Sequence, residues 1–226
     1  MGVIRVWRRF LQLFFRLLYN ECAWAYDLVA WMVSFGQWNR WGQAAIPHLC
    51  GSRVLELGHG PGHLLAAMGQ RGLNPVGLDA SRAMGRLARR KRMPTGAPTP
   101  LVRARAQALP FRDGAFESAV ATFPTEYIVD PATLREVARV LKGRAGGPGG
   151  GCGRLVVVGW VRLTQRDLGS RVLAWLYRVT GQGEPPAGWV GPQQALEWFE
   201  VSTVRQSVGR AEVALIVAEK RAAPRR

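Results

Sequence analysis

The sequence predicts an α/β protein with a seven-stranded, mostly parallel sheet and helices on both of its faces. The first observation behind this prediction is that strand-like and helix-like segments alternate after residue 50, since parallel strands need a helical crossover between them. The second is that the last two strand-like segments, 201–208 and 212–219, are joined by a short turn at Gly209-Arg210. A turn of that length fits an antiparallel hairpin that closes the sheet.

The predicted elements follow one another in a regular order. Short apolar runs predict the five strands before the hairpin, at 53–55, 75–78, 101–105, 118–122 and 154–161. Apolar residues at helical spacing predict the helices, at 63–68, 81–91, 132–141 and 167–179. Glycine and proline are frequent in two longer connections, 143–153 and 182–192, which we expect to be loops.

The first 48 residues predict a helical extension or lid, which precedes a single domain at 49–226. Residues 3–18 place arginines at helical spacing on one polar stripe and leave Trp, Phe and Leu on the rest of the helix. A basic amphipathic helix of this kind fits an anchor at a membrane surface, and a lid packed on the domain is the alternative. No apolar run there approaches the about 20 residues that span a bilayer. We therefore expect a cytoplasmic protein, peripheral on the inner membrane surface if residues 3–18 act as the anchor.

The chain is strongly basic, with 31 Lys and Arg residues against 15 acidic residues and a net charge of +16. Nine basic residues and no acidic residue occur between Ala80 and Arg112. Such a run suits a surface for nucleic acid or anionic lipid, although the arginine enrichment of a GC-rich genome explains it equally well. No aromatic residue interrupts Arg82–Arg92, which argues against a stacking platform for single-stranded nucleic acid.

Cysteine and histidine are sparse. The three cysteines, Cys22, Cys50 and Cys152, are scattered and form no C-x-x-C pair, which predicts a reducing compartment. The three histidines have no cysteine or carboxylate partners at the spacing of a metal site. We therefore predict no bound metal.

The most informative stretch is Glu56–Gly62, which reads ELGHGPG and lies between a predicted strand and a predicted helix. Its glycines allow a tight turn and the close approach of a ligand, and the helix N-terminus presents free N–H groups. Asp79 ends the next strand about 20 residues later, where a ribose diol would be bound. A dinucleotide fingerprint needs a third glycine at position 63, which is His63 in this chain.

The pattern E-x-G-x-G-x-G resembles motif I of the class I S-adenosylmethionine-dependent methyltransferases. The resemblance continues in Asp79, Ser81 and Met84, which match the family's D-x-S-x-x-M motif, and in Ala106–Phe111, which matches its A-x-x-L-P-F segment. It covers roughly residues 50 to 160 and is greatest to the type 11, ubiquinone/menaquinone-biosynthesis branch. It implies a Rossmann-like fold, S-adenosyl-L-methionine as cofactor and methyl transfer as the activity.

The resemblance also implies roles for individual residues. It places Gly58, Gly60 and Gly62 under the methionine portion of the cofactor, and Glu56 in the polar network at its amino group. It assigns Asp79 to the ribose hydroxyls. The rest of the expected cofactor-binding set consists of residues in the same turns and loops, namely His59, Ala80, Met84, Arg105, Ala106, Gln107 and Phe123.

Arg105 departs from the family pattern. Related proteins usually carry Asp at this position, where its carboxylate accepts a hydrogen bond from the adenine amino group. Arginine has no acceptor atom, so it either stacks on the adenine or points away. We expect this difference to affect cofactor affinity.

The candidate catalytic residues follow the fourth predicted strand or line the glycine turn. Glu126 and Tyr127 are positioned to act as a base or to orient the acceptor, and His63 is a further candidate base. We expect the acceptor to be a small or lipophilic molecule. The alternatives are an RNA methyltransferase and a protein that has lost catalysis and serves as a membrane-binding or partner-binding module.

Overall fold

A computed structural model describes residues 34, 36–91, 96, 98–143, 151–164 and 195–221 of the 226-residue chain. The predicted helices at 3–18 and 167–179 and the loop at 182–192 lie outside these residues. No helix in the described part is both long enough and apolar enough to cross a bilayer.

The described residues contain one sheet of seven strands. In chain order these are β1 Arg53–Leu57, β2 Asn74–Leu78, β3 Leu101–Val102, β4 Ser118–Thr122, β5 Arg154–Leu163, β6 Phe199–Val208 and β7 Ala211–Lys220. Their order across the sheet is β3-β2-β1-β4-β5-β7-β6. The first five strands are parallel, and β7 is antiparallel to both β5 and β6. The predicted fold class is confirmed, including the hairpin at Gly209-Arg210.

Five α-helices are described, and they connect or flank these strands. They are α1 Trp38–Gln43, α2 His63–Gln70, α3 Arg82–Ala88, α4 Pro131–Val140 and α5 Ala195–Trp198. A 3₁₀ helix follows α1 and another, Glu126–Val129, precedes α4. Side chains cap two of the helices: the Ser81 hydroxyl accepts from Met84 N, and the Asp130 carboxylate accepts from Ala132 N.

The two faces of the sheet bury separate apolar clusters, because side chains alternate along each strand. Val54 and Val120 point to the face covered by α1 and α2, where they pack with Trp41 and Met68. Leu55 and Leu57 point to the opposite face, which α4 covers. Helices therefore lie on both faces of the sheet, as the sequence predicts.

Strand β3 is shorter than predicted. The predicted strand runs to Arg105, but pairing ends at Val102, opposite Leu78. Beyond this pair β2 has ended, so residues 103–105 lie at the edge of the sheet with no neighbouring strand to pair with. The Arg103 side chain instead donates from Nε to the Ala80 carbonyl oxygen at 3.1 Å.

Cys50 and Cys152 form a disulfide, a pairing that the scattered positions of the three cysteines did not predict. The two residues are 102 positions apart in sequence, but they precede β1 and β5, which flank β4 at the amino-terminal edge of the sheet. Ser118 of β4 lies against them, and its hydroxyl donates to the Cys50 carbonyl oxygen at 2.7 Å. Sequence spacing could not reveal this pairing because the sheet topology creates it.

Candidate active site

The site lies where the strand order reverses. Successive strands proceed outward in one direction from β1 through β2 to β3 and in the other from β4 to β5. The crevice at the carboxyl ends of β1 and β4 is the place where open α/β sheets bind ligands. The glycine turn leaves β1 at this crevice, and Phe123 leaves β4 beside it.

The glycine turn has a left-handed backbone at all three predicted glycines. The φ angles of Gly58, Gly60 and Gly62 are 71°, 51° and 81°. A Cβ atom on Gly62 would lie 2.9 Å from the Cβ of Ala88, so this glycine also lets α2 and α3 approach closely. A Cβ on Gly60 would meet nothing within 4 Å, which leaves open space beside the turn.

Asp79 joins the glycine turn to the start of α3. Its Oδ2 accepts from Gly60 N at 3.0 Å, and its Oδ1 accepts from Ser81 N at 2.7 Å. Each carboxylate oxygen has a further lone pair beyond these bonds. The structure thus brings together Asp79 and the glycine turn, as the sequence predicts, and leaves acceptor capacity for hydroxyl groups of a ligand.

Glu56 is a buried carboxyl group beneath the turn. Only 1% of the residue is exposed, and its Oε2 has no hydrogen-bond partner. Burial raises the pKa of the Glu56 carboxyl well above its usual value, and the negative charge of Asp79 raises it further. A buried polar atom without a partner is rare in proteins and favours a role in binding a polar or cationic group.

The two histidines of the turn differ in their surroundings. His59 is buried, and its Nδ1 lies 2.7 Å from the Gly60 carbonyl oxygen, to which it donates. Burial lowers the pKa of the His59 imidazole. His63 is the first residue of α2 and is half-buried. His59 therefore helps to hold the shape of the turn, and His63 lies at its rim.

A second loop, at residues 103–111, forms the other side of the site. Ala106 is buried, and the Gln107 amide nitrogen donates to Asp130 Oδ2 at 3.0 Å. Arg105 is exposed. Two residues of the nearby D-x-S-x-x-M segment differ in burial: Ala80 is exposed, whereas Met84 is fully buried in α3.

Arg139 of α4 holds this second loop in place. Its guanidinium donates to the carbonyl oxygens of Leu109 and Phe111 at 2.9 and 2.8 Å, and it pairs with Asp113 and Glu136 at 2.7 Å. Glu136 in turn accepts from Leu109 N at 2.8 Å. This anchor is not predictable from the sequence, because nothing in the spacing of Arg139 distinguishes it from the other arginines.

The segment after β4 spans the crevice. The Tyr127 hydroxyl donates to the Leu57 carbonyl oxygen at 3.0 Å, and a Cβ on Gly58 would lie 2.7 Å from that hydroxyl. Glu126, the preceding residue, is exposed. The structure thus brings Tyr127 to the glycine turn and leaves Glu126 at the surface.

Two aromatic residues lie together at the end of β4. Phe123 has a φ of 48°, and the Trp38 ring centroid of α1 is 4.2 Å from the Phe123 ring centroid. Both side chains are half-buried, whereas Trp41, one turn further along α1, is fully buried. Nothing in the local sequence pattern places Trp38 against Phe123, because the two residues are far apart in the chain.

An arginine surface adjoins the site at the β3 edge of the sheet. It is formed by six exposed residues, Arg82, Arg86, Arg89, Arg90, Arg103 and Arg105. Within the described residues none of the six forms an ion pair, whereas Arg139, Lys142, Arg154 and Arg162 do. Within the described residues, the acidic side chains that form ion pairs contact other basic residues, so the positive charge of this surface is not neutralised by ion pairs.

Comparison with known proteins agrees with this geometry. Residues 54–146 match the family model described as a methyltransferase domain. A demethylmenaquinone methyltransferase of Thermus thermophilus is 35% identical over 147 residues, which are 62% of this chain and 63% of that protein. A ubiquinone/menaquinone biosynthesis C-methyltransferase of Geotalea uraniireducens is 32% identical over 139 residues, 57% of this chain and 59% of that protein. The matched regions thus span less than two thirds of each relative.

Solved structures share the fold at low sequence identity. Geranyl diphosphate C-methyltransferase from Streptomyces coelicolor superposes with a TM-score of 0.52 at 15% identity, covering 79% of this chain and 78% of that one. A S-adenosylmethionine-dependent methyltransferase from Thermotoga maritima gives a TM-score of 0.51 at 17% identity, covering 96% of this chain and 99% of that one. Residues 54–146 therefore form a methyltransferase domain, and this chain is similar in sequence to methyltransferases of ubiquinone and menaquinone biosynthesis.

Proposed function

We propose that this protein transfers a methyl group from S-adenosylmethionine to a quinone-type small molecule. The observation that carries the proposal is the glycine turn at the crevice between β1 and β4, with buried Glu56 below it and Asp79 beside it. The acceptor class comes from the two relatives, since both are named as methyltransferases of quinones or of quinone biosynthesis.

The residues of the site fit this cofactor. The unpartnered Oε2 of Glu56 provides an acceptor for the ammonium group of its methionine portion. The free lone pairs of Asp79 suit the two ribose hydroxyls as charge-assisted hydrogen bonds. The open space at Gly60 lets the ligand lie against the backbone. When bound, the cofactor supplies a methyl group on a positively charged sulfur, which is a good leaving group.

The protein's contribution is to position the acceptor and to manage its proton. Methyl transfer is an in-line displacement, so the protein acts chiefly by positioning the acceptor and by shaping the electrostatics of the site. A ring carbon that accepts a methyl group must lose a proton, which calls for a base. Glu126 and His63 are the proposed bases. Tyr127 is proposed to orient the acceptor, because its hydroxyl proton is already engaged with Leu57.

The first test is ligand binding. S-adenosylmethionine and S-adenosylhomocysteine should raise the melting temperature, and NAD should not, because a ligand at 100 times its dissociation constant adds about 2.7 kcal/mol of stability. The second test is transfer of the tritiated methyl group from the cofactor to reduced demethylmenaquinone. A melting-temperature shift with NAD alone would overturn the cofactor assignment, and cofactor binding without transfer to the quinol would overturn the acceptor.

The arginine surface favours RNA as a second acceptor class, because exposed arginines bind phosphate backbones. The same tritium assay with total bacterial RNA tests it. Label incorporated into RNA but not into the quinol would replace the quinone proposal with this one. Cofactor binding without transfer to either acceptor would support the catalytically lapsed alternative.

A further inference from the structure

Phe123 has a backbone conformation that its residue type disfavours. Among the described residues it is the one non-glycine residue with a positive φ, at 48°. A left-handed backbone crowds the Cβ of any side chain and is populated mainly by glycine and asparagine. Such strain persists only where the surrounding structure fixes it, and it concentrates at functional sites.

Two contacts fix Phe123 in this conformation. Its backbone N donates to the Val158 carbonyl oxygen of β5 at 2.9 Å. Its ring meets the Trp38 ring at a centroid distance of 4.2 Å and an interplanar angle of 38°. The Trp38 ring is itself 6.4 Å from that of Trp41, which is fully buried and anchors α1 to the sheet.

The pair lies at the mouth of the crevice. Phe123 follows the last residue of β4, and four residues later the Tyr127 hydroxyl reaches back to Leu57 at the end of β1. The same short stretch of chain therefore contacts the carboxyl end of β1 through Tyr127 and follows the carboxyl end of β4 at Phe123. A ring lying on Trp38 and Phe123 would enter the crevice from the side of β4.

The pair packs against the core of this face, but both residues keep some exposed surface. The largest core side chains of this face, such as Trp41 and Met68, have no exposed surface. Trp38 and Phe123 are both only half-buried, although Phe123 has a strained backbone. Full burial of the ring would offset the backbone strain by packing. Because Phe123 is only half-buried, packing alone does not account for the strain, and a functional role does.

We infer that Trp38 and Phe123 form an aromatic platform that receives the planar ring of the methyl acceptor. The inference deepens the proposed function and rests on it for the identity of the reaction. Aromatic rings attract other rings in offset or tilted arrangements, which orient a planar acceptor but do not select its tail. The platform would therefore determine specificity through the ring, and Trp38, which lies outside the expected cofactor-binding set, would contribute to acceptor binding alone.

The test measures the binding of a quinol ring that lacks the lipophilic side chain. The probe is 1,4-dihydroxynaphthalene, kept reduced, and titrated by calorimetry into protein saturated with S-adenosylhomocysteine. Trp38→Ala and Phe123→Gly should each weaken probe binding about tenfold, the scale of losing one aromatic stacking partner together with its apolar contact. Trp38→Phe, which keeps a ring, should stay within about threefold of the wild type.

Matched measurements separate binding from folding. Trp198→Ala removes an exposed tryptophan at the opposite edge of the sheet and should leave probe binding unchanged. Phe123→Gly relieves the backbone strain, which offsets part of the packing lost against the core of this face, so its melting temperature should fall only slightly. The Trp38 variants and Trp198→Ala should bind S-adenosylmethionine as the wild type does, because neither residue belongs to the expected cofactor-binding set.

Three outcomes would overturn the platform. One is wild-type protein that binds S-adenosylhomocysteine but not the probe at millimolar concentration. Another is equal probe affinity in the wild type, Trp38→Ala and Phe123→Gly. The third is a large drop in melting temperature for Phe123→Gly, which would make the ring a structural core residue. Failure of the proposed function is distinct, because it appears as no binding of either cofactor form to the wild type.

Discussion

Asp79 shows how one carboxylate can shape a site and also bind a ligand. Its two oxygens hold the N–H groups of Gly60 and Ser81, so the turn and the start of α3 depend on it even without a ligand. We predict that Asp79→Ala weakens S-adenosylmethionine binding by about 1.5–3 kcal/mol, the scale of a charged hydrogen bond. Calorimetry measures this loss, with Glu197→Ala, an exposed acid on α5, as the control. Unchanged affinity would contradict the ribose assignment.

Arg105 is the position where this chain departs from its family. Its side chain is exposed and forms no ion pair within the described residues, so the structure shows no active role for it. We predict that Arg105→Asp leaves cofactor affinity unchanged or improves it, by supplying an acceptor for the adenine amino group. Calorimetry decides, and a much weaker affinity in the variant would mean that the guanidinium contacts the adenine.

Glu56 gives a prediction about pH. Its pKa is raised in the folded protein, so between its ordinary value and the raised value the folded state holds a proton that the unfolded state has released. Stability contributed by this group is therefore full at low pH and is lost as the pH rises through that window. Glu56→Gln removes the titration, so urea unfolding should show a flatter pH dependence than the wild type above about pH 4. Parallel curves for the two proteins would contradict a raised pKa for the Glu56 carboxyl.

At the scale of elements, Arg139 ties α4 to the loop that carries Ala106 and Gln107. Arg139→Met would remove the guanidinium that donates to two backbone carbonyls and to Glu136. We therefore predict a loss of about 1–3 kcal/mol of stability and weaker cofactor binding. Arg135→Met, on the exposed side of the same helix, is the matched control and should change neither quantity. Thermal unfolding and calorimetry measure the two effects, and equal behaviour of both variants would refute the anchoring role.

Some of the elements and contacts could be predicted from the sequence, and others could not. Strand β4 begins and ends where its apolar run predicts, and the E-x-G-x-G-x-G turn and Asp79 come together because both follow adjacent parallel strands. The length of β3 was wrong because pairing depends on a neighbouring strand, which local pattern does not contain. The positive φ of Phe123, its contact with Trp38 and the Arg139 anchor were missed for the same reason, since each arises from residues far apart in sequence.

At the scale of the whole molecule, the arginine surface gives a prediction about association. Its six exposed arginines concentrate charge beside the site, which suits the headgroups of an anionic membrane that carries a lipophilic acceptor. We predict that the protein sediments with phosphatidylglycerol vesicles at low salt and is released as salt rises.

A pair of charge-reversal variants tests which surface is responsible. Arg86→Glu with Arg90→Glu should reduce sedimentation strongly, whereas Arg135→Glu with Arg210→Glu carries the same change in net charge at exposed sites elsewhere and should reduce it little. Equal loss in both pairs would assign the association to net charge. Retention by RNA and not by vesicles would assign the surface to nucleic acid.

The disulfide between Cys50 and Cys152 closes part of the chain into a covalent ring. The covalent path from Cys50 through the chain to Cys152 and back across the sulfur bridge contains β1 to β4 and therefore the whole glycine turn. A single peptide-bond cut anywhere between these two cysteines opens the ring but does not release a fragment. Such nicked protein should migrate as one band on a non-reducing gel and as two after reduction, and it should keep its ligand-binding residues on one covalently connected molecule.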